Sequence, residues 1–149
     1  KAAKLLGVEL TTSLEKIFSD SDAVSLHIPL TRETEKLVDY ELLSLMKPTA
    51  VLINTARGGV INEPDLAEFL EGKRIAGAGI DVFAEEPPPA DHPFFRLKQL
   101  TMTPHIGGIS LEAAQQTSVR IAENLIRAMS GERLDVIVNQ EQLKGSRIQ

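Results

Sequence analysis

Three kinds of polar group stand just past three apolar runs of this sequence. Arg57 follows "AVLIN" (50–54), Asp81, Glu85 and Glu86 follow "IAGAGI" (75–80), and His105 follows "LTMT" (100–103). Arginine offers a planar fork that matches a carboxylate. Histidine exchanges a proton near neutral pH. A carboxylate beside it favours the imidazolium and fixes the ring. Brought together, such groups suit an anionic substrate bearing a carbonyl or hydroxyl: the arginine grips and polarises, and the histidine moves the proton.

Other chemistries find no support. The chain has no cysteine, which excludes disulfides, thiolate-bound zinc and thiol nucleophiles. No His/Asp/Glu spacing suggests a metal site. No serine sits at a G-x-S-x-G elbow and there is no Walker A loop. Glu85 and Glu86 are adjacent, so they cannot face each other across a glycoside. Gly58, Gly59, Gly107 and Gly108 would let a ligand approach the backbone closely. His27, two residues before Pro29, reads as structural, and His92 reads as an anchor of its loop with Phe94 and Phe95 packing beneath.

The elements that must position these groups alternate between strand and helix. Strands are expected at 8–10, 22–28, 50–54, 75–82, 100–104 and 135–138. Helices are expected at 12–20 (capped by Thr12 or Ser13), 39–46 (capped by Asp39), 63–72 (Pro64 in its first turn) and 110–131 (Ser110 to Gly131). Apolar strands alternating with helices indicate an α/β fold, a doubly wound parallel sheet covered on both faces. Right-handed crossovers then bring the strands' carboxyl ends to one edge, where ligands bind in open α/β sheets. The segment 84–93, "AEEPPPADHP", is a stiff, extended connection. "GAGI" (77–80) suggests tight helix–sheet packing.

The length of 149 residues is about one domain's worth, with 42% hydrophobic and 25% charged residues. A net charge of −5 and the lack of a basic run argue against nucleic acid and anionic membranes as partners. No apolar stretch is long enough to span a bilayer. The absence of cysteine suits a reducing compartment, so the cytoplasm is the expected location. The opening "KAAKLLG" reads as the tail of a helix capped by Gly7, as though an upstream portion were missing.

The stretches "LHIPLTRETEKLVD", "MKPTAVLINTARGGVINEPDLAEFL", "AGAGIDVFAEEP" and "TPHIGG" stand in this order between residues 26 and 108. Together they resemble the D-isomer-specific 2-hydroxyacid dehydrogenases, over residues 1 to about 139. The resemblance implies a Rossmann-like dinucleotide-binding domain over 1–109 and an interdomain helix with a return segment over 110–149. It implies that Arg57 binds the substrate carboxylate and carbonyl, that His105 is the general acid/base, and that Glu86 pairs with it. It implies a nicotinamide dinucleotide, NAD or NADP, lying against Ile28, Thr55, Ala56, Arg57, His105, Gly107 and Gly108, with Asp81 contacting the nicotinamide amide. A small 2-keto or 2-hydroxy acid is the implied substrate and a homodimer the implied assembly. Related formate dehydrogenases carry Gln where Glu86 stands, so Glu86 favours the hydroxyacid branch. The C-terminal-binding-protein corepressors share the Arg/Glu/His set, which makes a dinucleotide-sensing scaffold the alternative. A phosphite dehydrogenase is a further relative with a similar triad.

Overall fold

A computed structural model describes residues 7–132 together with Leu134 and Ile137. The chain divides into two compact units, Lys1–Gly107 and Gly108–Gln149.

The first unit is built on four parallel strands: β1 (Ala23–Leu26), β2 (Val51–Asn54), β3 (Gly77–Ile80) and β4 (Leu100–Met102). They lie in the order β1-β2-β3-β4, with Ala23 opposite Val51, Val51 opposite Gly77, and Ala78 opposite Leu100. Helices α1 (Leu14–Asp20), α2 (Tyr40–Leu45) and α3 (Glu63–Glu71) connect and flank them. Local chemistry starts the first two. Ser13 accepts a hydrogen bond from the Lys16 N–H, and Asp39 accepts one from the Leu42 N–H. Pro64 sits in the first turn of α3, where its missing N–H is harmless, and Gly72 caps the end.

The strand order runs in one direction. With right-handed crossovers, each connection therefore falls on the same side of the sheet. Burial follows: Val24, Leu26, Leu52 and Asn54 are buried, whereas Ala23, Ser25, Val51 and Ile53 on the alternate positions are exposed or half-buried. Within the first unit Val24, Leu26, Leu52 and Asn54 form the buried face of the parallel sheet, as the α/β, Rossmann-like reading expects. The core on that face joins Phe18, Leu43, Leu52, Leu66, Phe69, Leu70 and Phe94.

Three details depart from the sequence reading. Residues 8–10 form no strand, and Val8 and Leu10 are exposed; a three-residue run with no pairing partner among the described residues has nothing there to hold it extended. The crowding at Gly77 comes from the Gln99 carbonyl oxygen, which a Cβ would approach to 2.7 Å, rather than from a helix. Phe94 is fully buried as expected, but Phe95 is 50% exposed. Both sit in a 3₁₀ turn (Pro93–Arg96), whose spacing sends adjacent side chains in different directions.

The second unit holds one described helix, α4 (Leu111–Met129). Ser110 caps it by accepting from the Ala113 N–H, and Gly131 follows its end with a φ of +72°. The strand expected at 135–138 lies outside the described residues, apart from Ile137.

Candidate active site

Each chemical group is presented by a turn at a strand's carboxyl end. At the end of β2, Asn54 is almost fully buried and closes the turn with its own side chain. Its Oδ1 accepts from the Ala56 N–H and its Nδ2 donates to the Arg57 carbonyl, both at 3.0 Å. This Asx geometry turns the chain so that Arg57 emerges exposed, in extended backbone, before a 3₁₀ turn (Gly58–Val60).

At the end of β3 the chain runs through Asp81–Val82–Phe83, all buried, and then surfaces. Glu86 folds back, and its Oε1 accepts from the Phe83 N–H at 3.0 Å. Its Oε2 lies 2.7 Å from His105 Nδ1. The His105 bond above all, then the Phe83 N–H and the positive charges of His105 and Arg57, hold the Glu86 carboxyl below the usual carboxylate range. Glu86 is therefore ionised at neutral pH and can only accept, so His105 Nδ1 carries the hydrogen it donates. The opposite nitrogen, Nε2, takes no part in this bond. Glu85 makes no hydrogen bond to this pair.

His105 has a φ of +54°, a left-handed conformation that a side chain with a Cβ adopts at a cost of about 1–2 kcal/mol. Asp81 holds it there. The buried carboxylate accepts from the Thr103 hydroxyl, from the Ile106 N–H at 2.9 Å and from the Gly107 N–H at 2.8 Å. The Thr103 hydroxyl chiefly, with those two N–H groups and the His105 charge, keeps the Asp81 carboxyl below its ordinary range despite burial. A Cβ on Gly107 would fall 2.8 Å from Asp81 Oδ2, so only glycine allows this approach. Gly58 serves a similar end: its absent Cβ leaves room for the Phe83 and Ala84 backbone. At both positions the close approach is the protein's own, where the sequence suggested a ligand's. Gly59 meets the Leu30 side chain, and Gly108 begins the second unit.

The expected residues thus fall into two groups. Ile28, Thr55, Ala56 and Arg57 line a groove of about 610 Å³ with His27 and Leu30. His27 is exposed, with its Nε2 2.8 Å from the Ser25 hydroxyl. Asp81, Glu86, His105 and Gly107 are joined by the hydrogen bonds above. A largely apolar cavity of about 680 Å³ lies against the Glu86–His105 pair, lined also by Phe83, Pro87, Phe95 and Met102. Asn54, Thr103 and Glu63 were not singled out from sequence. The first had a legible signal, a polar residue ending an apolar run before a turn; the other two show their roles only once distant segments meet.

The model of the D-isomer specific 2-hydroxyacid dehydrogenase NAD-binding domain matches residues 1–107. The chain belongs to the D-isomer-specific 2-hydroxyacid dehydrogenases. It is 45% identical over 141 residues to a glyoxylate reductase of Korarchaeum cryptofilum, covering 95% of this chain and 42% of that protein. It is 40% identical over 137 residues to the D-3-phosphoglycerate dehydrogenase of Mycobacterium tuberculosis, covering 92% of this chain and 26% of that one. Its fold is similar to the holo form of Rhodotorula graminis D-mandelate dehydrogenase, with a TM-score of 0.86 and 33% identity over 92% of this chain and 40% of that one. The chain therefore spans less than half the length of these relatives. Among the described residues, no group of three or more His, Cys, Asp or Glu could hold a metal, and no helix is long and apolar enough to cross a membrane.

Proposed function

We propose that the full-length protein transfers a hydride between a nicotinamide dinucleotide and a D-2-hydroxy acid or its 2-keto acid. The observation that carries this reading is the His105–Glu86 pair, joined at 2.7 Å on the sheet edge that also presents Arg57. The groove bordered by Ile28, Thr55, Ala56 and Arg57 lies at the carboxyl ends of β1 and β2, a position that fits a nicotinamide. When bound, the dinucleotide supplies or accepts the hydride at the substrate's C2. Arg57 offers two parallel N–H donors to the substrate carboxylate and draws charge from the neighbouring carbonyl. His105, protonated, gives the Nε2 proton to the oxygen as the carbonyl is reduced, and takes it back in the reverse direction. Glu86 holds the other ring nitrogen, so that the ring neither flips nor gives up its Nδ1 hydrogen. Asp81 and Gly107 fix the turn that aims the ring. The proposal also places the nicotinamide amide against Asp81, whose carboxylate keeps a lone-pair site beyond the three donors it already accepts.

The relatives named above are reductases and dehydrogenases, which favours turnover over a corepressor-like scaffold. A homodimer is inferred from family resemblance, and a cytoplasmic setting from the absence of cysteine.

The test is to follow NADH and NADPH oxidation by the full-length protein with glyoxylate, hydroxypyruvate, pyruvate, 2-ketoglutarate and phosphohydroxypyruvate. The His105→Ala variant is run alongside. Oxidation that falls by roughly 10²–10⁴-fold in the variant, with dinucleotide binding intact, is the expected result. Tight dinucleotide binding without oxidation of any acid would replace the enzyme with a sensor.

A further inference from the structure

A second His–Glu pair lies behind the first. Glu63 begins α3 and His92 ends the proline-rich segment, and both side chains are only 11% exposed. Neither side chain is turned to solvent, and Glu63 does not cap its own helix. Its Oε1 accepts from the Ala84 N–H at 2.9 Å, and its Oε2 lies 3.3 Å from His92 Nε2. His92 Nδ1 accepts from the Phe94 N–H at 3.3 Å, so Nε2 carries the ring hydrogen and donates it to Glu63. The imidazole packs edge-on against Phe83 and Phe94, with centroids 6.0 and 4.7 Å away.

Ala84 is the position that gives this pair a consequence. Its neighbour Phe83 supplies the N–H that Glu86 accepts. The same two residues cross over Gly58, next to Arg57. Glu63 belongs to the segment that continues from Arg57, so it ties the loop carrying Glu86 to the loop carrying the arginine. His92 ties the far end of that loop to the same carboxylate.

We propose that Glu63 and His92 are positioning residues, a buried latch that pins the Phe83–Glu86 backbone so that the Glu86 carboxylate meets His105. The inference rests on the hydride-transfer reading for its effect on rate, but not for its effect on Glu86. In Glu63→Gln, the amide oxygen cannot accept from both Ala84 and His92, and its NH₂ group faces a donor. His92→Phe keeps an aromatic ring in the same packing and removes the donated hydrogen bond.

The deciding measurement is the carbon-13 titration of the Glu86 carboxyl in the full-length protein, its signal assigned by its loss in Glu86→Gln. Loosening the Phe83 N–H moves the Glu86 midpoint up by roughly half a pH unit in Glu63→Gln. The same shift in His92→Phe tests the latch should Glu63→Gln fail to fold. With an active enzyme, kcat falls about 10-fold while KM for the acid changes less than about threefold. A Glu86 midpoint unchanged in a folded variant, with only thermal stability reduced, overturns the latch and leaves the pair a packing feature. If the wild-type protein turns over no acid, hydride transfer falls while the Glu86 titration still decides the latch.

Discussion

A Cβ built on Gly58 would fall 1.9 Å from the carbonyl carbon of Phe83. The backbone that follows Arg57 and the backbone that leads to Glu86 therefore cross in contact. Gly58→Ala cannot be absorbed by a side-chain rotation, because the obstacle is main chain. The two loops must part, at a cost of about 2–3 kcal/mol of stability. The rate should fall with it, since Arg57 and Glu86 move apart together. Urea unfolding and steady-state kinetics on the variant check both effects; unaltered stability would mean that the crossing relaxes freely.

Asp81 is 5% exposed and accepts three hydrogen bonds, all from the turn that carries His105. Asp81→Asn keeps the shape but puts an NH₂ group against at least one N–H or O–H donor. The lost charge-assisted bonds should cost about 2 kcal/mol. His105 would then be free to leave its left-handed backbone conformation, and kcat should fall more than KM rises. A variant that loses dinucleotide affinity while retaining stability would instead make Asp81 a ligand of the nicotinamide first and a clamp second.

The pH dependence of stability has a definite sign. Asp81 and Glu86 both titrate below their ordinary ranges in the folded protein. A depressed carboxylate contributes stability that is fully present above its unfolded pKa and is lost as pH falls through the folded value. Stability from these groups should hold from neutrality down to about pH 4 and then decline. Urea midpoints at pH 7, 5, 4 and 3 trace this, and Asp81→Asn should flatten part of the acid decline. A decline that begins above pH 5 would have to come from other groups.

That Arg57, Asp81 and His105 stand just past strand ends was readable from polar residues following apolar runs, whereas Glu86 was told apart from Glu85 only by the family resemblance. Helix starts at Asp39 and Ser110 were readable from capping chemistry, and the first helix start only to within Thr12 or Ser13, of which Ser13 is the cap. What could not be read was the support. Asp81, Thr103 and Gly107 meet only when β3 and β4 lie side by side, and Glu63 reaches Ala84 only after α3 packs. Gly58 and Gly107 look like room for a ligand in one dimension; in three, protein atoms occupy the room.

Arg57 is exposed, and its own guanidinium donates to the Ala56 carbonyl at 2.6 Å. That bond holds one nitrogen near its turn and leaves the rest of the fork for a substrate carboxylate. Arg57→Lys keeps the charge but replaces two parallel donors with one rotating ammonium. The loss of one charge-assisted bond, about 1.5–3 kcal/mol, corresponds to roughly 10–100-fold in kcat/KM. Most of it should appear in KM if the fork binds ground and transition states alike, and in kcat if it grips the developing alkoxide. Stability should change little, because the side chain is not part of the core. Unchanged kinetics in this variant would remove Arg57 from the site and leave substrate recognition to other residues.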